Sequence, residues 1–301
     1  SSRAASQSMF PPETMERWNS APTIRLWPGA APNGGFKSQP LGKDFPPFFI
    51  QNVEQPLLRV FRPAKPNGRS LLIMPGGSYR FVSIANEGVD IANFMTARGY
   101  TVFVLVYRLP GEGWNKREDV PLQDAQRAMR LIRARAPEYG CDPDQIYAVG
   151  FSAGGHLAAS LETGFAENIY VPQDAADSLT ARARAVGLIY PVISHSVGIG
   201  HAESTLRLLG PSPDMLATVR RSPDLHVTDE TPPTFIVHAL DDPAVPVENA
   251  LIMMGALRAA RRPVEAHYFE KGGHGFGLGK PGEPASQWPE LFAKWMDSHA
   301  A

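Results

Sequence analysis

The sequence predicts an α/β protein built on a mostly parallel central sheet of about eight strands, with helices on both faces. Short runs rich in β-branched and aromatic residues alternate with amphipathic segments of helical length, which is typical of strand–helix–strand units. The run at residues 70–74 is apolar almost throughout, as expected of a strand that is covered on both faces. Side chains and glycines suited to catalysis follow several of these runs, where open α/β sheets place their chemistry.

The composition fits one large domain. The 301 residues are 43% hydrophobic, which is enough for a full core, and they contain no internal repeat and no linker. We expect residues 1–22 to form a partly disordered N-terminal extension and residues 23–301 to form a single domain. Residues 191–232 lack clear periodicity and are expected to form an insertion near the active site.

Charge and cysteine content exclude several function classes. The 29 basic and 30 acidic residues nearly balance and form no run of like charge, so we expect no nucleic acid and no membrane surface as a partner. No stretch approaches the roughly 20 apolar residues of a spanning helix. The single cysteine, Cys141, excludes an internal disulfide, and the spacing of the histidines resembles no metal site. We expect no metal and no other cofactor, and the oligomeric state stays open.

The predicted strands are short and rich in β-formers. The first two are expected to be antiparallel edge strands, because they combine alternating polarity with β-propensity. The later strands are more apolar, and the run at 101–107 has the strongest strand character. The predicted strands cover residues 24–27, 57–61, 70–74, 101–107, 145–149, 185–190, 234–238 and 264–269.

The predicted helices follow an apolar spacing of three and four residues. The helix at 122–136 has one apolar stripe with arginines on its other faces, and the closing helix at 286–298 has an aromatic-rich stripe. The segment 191–232 is expected to hold two short helices, near 202–209 and 213–220. The remaining predicted helices cover residues 87–97, 153–163 and 247–260.

Residues 150–154 read G-x-S-x-G between a predicted strand and a predicted helix. Such a turn must be so tight that the neighbours of the serine need almost no side chain, and Gly150 and Gly154 meet that demand. Ser152 would then stand exposed at the end of the strand as a nucleophile, beside the amide of Ala153 at a helix N-terminus. The alternative for this motif alone is a glycine-rich turn with an incidental serine.

Further candidates for catalysis follow other strands. Asp241 and Asp242 come after the strand ending at residue 238, and His274 comes after the last strand. A serine hydroxyl needs an adjacent base, which His274 can supply, and a carboxylate on the other ring nitrogen would fix the tautomer. Either aspartate could supply that carboxylate, and at least one of them is expected to form the turn instead. The order serine, aspartate, histidine along the chain is that of an α/β hydrolase.

The tetrahedral oxyanion of acyl transfer needs preorganised hydrogen-bond donors. The backbone amides of Gly77, Ser78 and Ala153 are the candidates for this oxyanion hole. His156 lies inside the helix that follows Ser152 and is expected to pack or form hydrogen bonds rather than to catalyse.

Together these motifs resemble the α/β-hydrolase esterases, and most closely the acetylxylan esterases and the feruloyl-esterase-like, xylanase-associated enzymes. The resemblance extends over nearly the whole chain and implies an α/β-hydrolase fold. It implies Ser152 as nucleophile and His274 as base, and its D-x-x-V-P pattern selects Asp242 over Asp241. Many relatives begin the loop after the third strand with H-G-G-G; here Pro75 and Ser78 depart from that pattern. The motifs that carry the resemblance are PGGSY at 75–79, YRLP at 107–110, GFSAGGHL at 150–157, HALDDPAVP at 238–246, GHGF at 273–276 and LWPGAAP at 26–32.

The activity that the resemblance implies is hydrolysis of short acyl esters, chiefly acetyl groups on carbohydrate such as xylan, through an acyl-enzyme. The partner would be a small-molecule or polysaccharide ester. Alternatives are a feruloyl or general short-chain carboxylesterase, a peptidase of the same fold, or a non-catalytic binding protein. The candidate substrate contacts are Tyr79, Trp114 and Phe276 as stacking rings and His201 and Arg207 from the insertion.

The sequence begins with Ser1 rather than methionine, so we expect that a signal peptide or another leader was removed. A polymer-degrading role would suit a periplasmic or secreted protein, with the cytoplasm as the alternative.

Overall fold

The computed structural model describes residues 10–43 and 45–301. These residues contain eight α-helices and ten strands. The helices are α1 (Pro12–Ser20), α2 (Asp90–Thr96), α3 (Val120–Arg135), α4 (Ala153–Gly164), α5 (Ala202–Leu209), α6 (Met215–Arg220), α7 (Glu248–Ala259) and α8 (Trp288–Ser298). The strands are β1 (Thr23–Arg25), β2 (Phe49–Ile50), β3 (Leu57–Phe61), β4 (Ser70–Met74), β5 (Val82–Ser83), β6 (Thr101–Val106), β7 (Ile146–Phe151), β8 (Val186–Ile189), β9 (Thr234–Ala239) and β10 (Val264–Phe269).

Eight of these strands form one sheet in the order β1-β3-β6-β4-β7-β8-β9-β10. All neighbours from β6 to β10 are parallel, whereas β3 is antiparallel to both β1 and β6. The predicted mostly parallel sheet of about eight strands is therefore confirmed. Because β4 lies beside β7, the loop after β4 and the turn after β7 meet at the same edge of the sheet.

The core is formed by strands that are buried on both faces and by the helices packed against them. Every residue of β4, β6, β7, β8 and β9 is buried. Helix α4 packs against β7 and β8, and α8 approaches the sheet so closely that a Cβ at Gly187 would lie 2.8 Å from the ring of Phe292. No helix within the described residues has the length and apolar character needed to cross a membrane.

Most predicted elements occur within a few residues of their expected positions. Helix α5 spans the predicted residues 202–209, and α6 begins two residues later than predicted, at Met215. The side chains of His201 and Asp214 cap these two helices by accepting backbone N–H groups of their first turns.

Three elements were not predicted. Strands β2 and β5 form a two-residue antiparallel ladder, which is too short to leave a periodic pattern. Helix α1 lies within the predicted N-terminal extension, and its Trp18 is buried beside Phe61. Residues 1–9 of the extension that was predicted to be partly disordered fall outside the described residues.

Candidate active site

Ser152 lies on a strained turn between β7 and α4. Its backbone has φ 55° and ψ −117°, a region that residues other than glycine rarely adopt. A Cβ at Gly150 would lie 2.1 Å from the Gly154 carbonyl oxygen, and a Cβ at Gly154 would lie 2.1 Å from the Met74 carbonyl oxygen. The two glycines therefore permit the close approach of strand, turn and helix. As the first residue of α4, Ala153 has an amide without an acceptor inside its own helix.

A line of short hydrogen bonds connects Ser152, His274 and Asp242. Ser152 Oγ lies 2.8 Å from His274 Nε2, and His274 Nδ1 lies 2.7 Å from Asp242 Oδ2. The Asp242 side chain is fully buried, whereas the His274 side chain is 22% exposed, so the imidazole borders the solvent and the carboxylate does not. The geometry is that of a nucleophile, a base and a group that orients the base.

The two adjacent aspartates have different partners. Asp241 Oδ1 accepts the N–H groups of Gly272 and Gly273, at 2.9 and 2.8 Å, and thereby shapes the loop before His274. Asp242 Oδ1 accepts the N–H groups of Ala244 and Val245, which leaves its Oδ2 for the imidazole.

The environment of Asp242 keeps its carboxylate charged. Burial opposes ionisation, but hydrogen bonds from His238 and His274 and from the Val245 amide outweigh it and hold the pKa of Asp242 well below its usual range.

His238 is a site residue that the sequence analysis left without a role. It is fully buried at the end of β9, and its Nε2 lies 3.3 Å from Asp242 Oδ2 and 2.9 Å from the Val245 carbonyl oxygen. A donor shared between these two acceptors helps to fix the Asp242 loop. The sequence signal was a histidine four residues before the aspartate, but it lies in a strand, and only the fold shows that the chain after the strand bends back to it.

The 75–79 loop, which follows β4, borders the same cleft as Ser152 through Gly77 and Ser78. The residues Gly77, Ser78 and Tyr79 all have positive φ, at 137°, 58° and 58°. At Gly77 a side chain is impossible, since a Cβ would lie 2.0 Å from the Phe81 carbonyl oxygen. The Gly76 amide donates to a carboxylate oxygen of Glu87 at 2.9 Å, so it is not available to a substrate.

A cleft of about 280 Å³ opens beside Ser152 and His274. Its wall includes part of the 75–79 loop and the aromatic rings of Phe10, Phe49 and Phe81. Phe49 and Phe81 stack with their ring centroids 4.1 Å apart. The lining residues are Phe10, Phe49, Gly77, Ser78, Phe81, Ser83, Asn86, Glu87, Ser152, His274 and Gly275.

Two of the predicted substrate contacts lie near His274. Burial lowers the pKa of the half-buried His201, and the nearby charge of His274 lowers it further. Phe276 is half-buried two residues after His274. Its ring packs edge-on against Tyr190, with the ring centroids 4.8 Å apart.

None of the five predicted contacts is among the residues that line the cleft beside Ser152. Tyr79 is 1% exposed, and its hydroxyl lies 2.7 Å from His156 Nδ1, so its ring is not free to stack on a sugar. Trp114 is buried beneath the Arg108 guanidinium and beside Phe36. These rings pack in the interior because the loops that carry them fold inward.

Arg207 borders a second cavity, of about 230 Å³, whose lining includes Gln39, Pro40, Gly42 and Gln51. Its guanidinium forms an ion pair with Glu203, one turn earlier on α5. Neither feature directs it towards Ser152.

His156 has the structural role that the sequence analysis expected. Its Nδ1 lies 2.7 Å from the Tyr79 hydroxyl, and its Nε2 lies 2.7 Å from the Arg221 carbonyl oxygen and 3.1 Å from His195 Nε2. Burial holds the pKa of His156 well below its usual value and lowers the pKa of His195 to about 4. The two neutral rings link the 75–79 loop to the insertion at 191–232.

Known proteins resemble this chain over most of its length. The family model BD-FAE matches residues 60–257. The acetylxylan esterase of Xylanibacter ruminicola is 29% identical over 245 residues, which are 79% of this chain and 47% of that protein. Endo-1,4-beta-xylanase B of Butyrivibrio fibrisolvens is 35% identical over 205 residues, which are 68% of this chain and 32% of that protein. The chain thus spans less than half the length of these two curated relatives.

A solved structure of similar length also matches. It is the acetyl ester-xyloside bifunctional hydrolase from Caldicellulosiruptor lactoaceticus, with a TM-score of 0.78 and 33% identity. The match covers 92% of this chain and 96% of that one.

Proposed function

Because the chain belongs to the BD-FAE family, we propose that it is a serine-dependent hydrolase of carboxylic esters. The observation that carries this proposal is the line of hydrogen bonds from Ser152 through His274 to the buried Asp242. The 75–79 loop lies beside this line, since its Gly77 and Ser78 border the same cleft as Ser152. A nucleophile with an oriented base and preorganised donors is the equipment that acyl transfer requires.

Acylation follows from this geometry. Ser152 Oγ attacks the ester carbonyl carbon while His274 Nε2 takes the hydroxyl proton. The carbonyl oxygen becomes an oxyanion, which we assign to the amides of Gly77, Ser78 and Ala153. When the intermediate collapses, His274 returns the proton to the alcohol oxygen and the acyl group stays on Ser152.

Deacylation repeats these steps with water. His274 takes a proton from a water molecule, whose oxygen attacks the acyl carbon. The second tetrahedral intermediate collapses to the free acid, and the proton on His274 returns to Ser152 Oγ. Throughout both steps the charged Asp242 stabilises the imidazolium, since its pKa stays well below the range in which esterases are assayed.

We assign the substrate to short acyl esters of carbohydrate, chiefly acetylated xylan. The names of the relatives supply this substrate class. The cleft of about 280 Å³ is at the small end of ligand pockets, which favours an acetyl group and a sugar unit over a long acyl chain. A polymer cannot cross a membrane, so export to the periplasm or the medium belongs to the same proposal.

The second candidate is a feruloyl or general short-chain carboxylesterase. The observation that favours it is the aromatic wall of Phe49 and Phe81, whose rings could contact an aromatic acyl group.

A substrate panel tests both candidates. Acetate release from acetylated xylan and xylo-oligosaccharides is compared with hydrolysis of methyl ferulate and of p-nitrophenyl acetate, butyrate and octanoate, with Ser152→Ala as the blank. We expect acetyl esters to have the highest kcat/KM and the variant to lose at least about 10³-fold activity. A preference for methyl ferulate would replace the first candidate by the second. Hydrolysis that persists in Ser152→Ala would contradict the nucleophile assignment.

A further inference from the structure

Glu87 is a buried carboxylate beside the cleft that the mechanism above does not use. It is 4% exposed and lies on a π-helical turn, Ala85–Val89, in which the Val89 N–H donates to the Ile84 carbonyl oxygen five residues earlier. Such turns are rare and occur frequently at functional sites. The carboxylate lies between the 75–79 loop and the 272–277 loop that carries His274.

We propose that Glu87 is a positioning residue that holds the 75–79 loop and the 272–277 loop in the relative placement that ester hydrolysis needs. This inference rests on the proposed function. It assigns to Glu87 no contact with the reacting atoms.

On one side, Glu87 fixes the loop that carries the oxyanion amides. Its Oε1 accepts the Gly76 N–H at 2.9 Å, directly before Gly77 and Ser78. The contact is close, because a Cβ at Gly76 would lie 2.9 Å from Glu87 Oε1 and 3.0 Å from Ser152 Cβ. The Tyr107 hydroxyl donates to the Pro75 carbonyl oxygen at 2.6 Å and so holds the other side of the same peptide group. The direction of the next amides therefore depends on where the Glu87 carboxylate stands.

On the other side, Glu87 reaches the histidine loop through Tyr190. The Tyr190 hydroxyl donates to Glu87 Oε2 at 2.5 Å and accepts the Gly277 N–H at 3.2 Å. Tyr190 directly follows β8 with φ 37°. Its ring packs edge-on against the His274 ring, with the ring centroids 5.0 Å apart. One hydroxyl thus joins the carboxylate to a backbone amide three residues beyond His274.

The charge balance of the site agrees with this role. Burial raises the pKa of Glu87, while the Tyr190 hydroxyl, the nearby His274 and the Gly76 amide each oppose that rise. The ionisable groups that face the carboxylate are Tyr107, Tyr190 and His274. A carboxylate that accepts two donors presents an acceptor to each loop, whereas a glutamine can accept from only one of them and must place its NH₂ group against the other.

The test combines two conservative variants with a matched control. Glu87→Gln removes one acceptor, and Tyr190→Phe removes only the connecting hydroxyl. Glu162→Gln is the control, because Glu162 is an equally buried glutamate that accepts a hydroxyl, that of Thr234 at 2.8 Å, at the start of β9 and far from the catalytic ends of the strands. The assay measures kcat and KM on p-nitrophenyl acetate and the inhibition constant of an alkyl trifluoromethyl ketone, which adds to a serine as a tetrahedral oxyanion.

We expect Glu87→Gln and Tyr190→Phe each to lower kcat by about 10- to 100-fold with KM changed by less than about threefold. The trifluoromethyl ketone should bind more weakly by a factor similar to the loss in kcat/KM. Misplaced amides weaken the stabilisation of the oxyanion more than they weaken binding of the ground-state substrate. The double variant should lose little more than the worse single variant, because both changes break one connection. Glu162→Gln should keep wild-type values.

Wild-type kcat and ketone affinity in Glu87→Gln would overturn the proposal, as would a loss confined to KM or fully additive losses in the double variant. If Glu87→Gln fails to fold, Tyr190→Phe decides alone by the same criteria. A wild-type protein that neither hydrolyses the ester nor reacts with a fluorophosphonate at Ser152 defeats the proposed function itself. A wild-type protein that does both, with variants that match it, defeats only the role of Glu87.

Discussion

At the scale of single residues, neighbouring carboxylates acquire different roles from their hydrogen-bond partners. Asp241 binds two loop amides, whereas Asp242 binds two amides with one oxygen and the imidazole of His274 with the other. The orienting role therefore follows from which oxygen is left over.

This difference predicts unequal effects of the same substitution. Asp242→Asn should lower kcat by about 10³- to 10⁴-fold, because an amide can hold the wrong tautomer of His274 and cannot stabilise its cation. Asp241→Asn should lower kcat by less than about tenfold, since the amide oxygen still accepts from Gly272 and Gly273. Steady-state kinetics on p-nitrophenyl acetate measures both, and equal losses would contradict the choice of Asp242.

The residues directly after the strands could be predicted from the sequence, whereas the buried residues that hold those loops in place could not. Ser152, Asp242 and His274 were found because parallel strands end at one edge of the sheet. Glu87 was not, because its partners belong to other segments, and His238 was not, because no local pattern shows that the chain after β9 folds back onto it. For the same reason the rings of Tyr79 and Trp114 were expected at the substrate, although both pack inward.

At the scale of elements, the turn between β7 and α4 depends on glycines for space rather than for backbone freedom. Neither Gly150 nor Gly154 has a positive φ, yet both would place a Cβ within 2.1 Å of a carbonyl oxygen. The strain itself falls on Ser152, which is only 6% exposed rather than standing free as expected, and whose hydroxyl lies at the cleft 2.8 Å from His274 Nε2.

Two glycine substitutions should therefore have opposite effects. Gly154→Ala forces its Cβ against the Met74 and Pro75 carbonyl oxygens and should destabilise the fold by about 1–3 kcal/mol or more and remove activity. Gly255→Ala lies on the exposed face of α7 with no atom within 4 Å of the new Cβ and should stabilise by about 0.5–1 kcal/mol. Urea unfolding and esterase assays on both proteins check this; a stable, active Gly154→Ala would refute the steric account.

Long periodic elements were predicted from sequence, and very short or paired ones were not. Helices α3 and α8 were predicted because their apolar spacing is local. Strands β2 and β5 consist of two residues each, and they are defined only by their pairing. Pairing across more than thirty positions in the chain leaves no signal in either segment alone.

At the scale of the whole molecule, buried polar contacts attach the segment at residues 26–32 to the rest of the domain. Arg108 donates to Asp124 and to the Pro32 carbonyl oxygen, and the Trp27 indole donates to Asp124 at 2.9 Å. Both charged side chains are fully buried. The motifs at 26–32 and 107–110, which contributed to the resemblance, therefore form one interior cluster. The comparisons confirm that resemblance to α/β-hydrolase esterases of the acetylxylan esterase group.

The stability of the whole molecule should depend on pH through a buried group remote from the active site. Glu162 is 1% exposed, and its Oε2 accepts the Thr234 hydroxyl while its Oε1 has no partner among the described residues. Burial raises its pKa well above the usual value. Because the folded state holds this proton more tightly than the unfolded state, its contribution to stability is full below about pH 4.3 and is lost as the pH rises.

The glutamine in Glu162→Gln cannot ionise. The melting temperature of this variant minus that of the wild type should therefore increase as the pH is raised from 5 to 9. Glu138→Gln is the control, because Glu138 is exposed and its hydrogen bond with Arg135 lowers its pKa, which leaves it ionised over the whole range. Its difference from the wild type should stay constant between pH 5 and 9. Calorimetric melting of the three proteins measures both trends. A constant difference for Glu162→Gln as well would mean that the pKa of Glu162 is the same in the folded and unfolded states, and that the pH dependence of stability arises elsewhere in the fold.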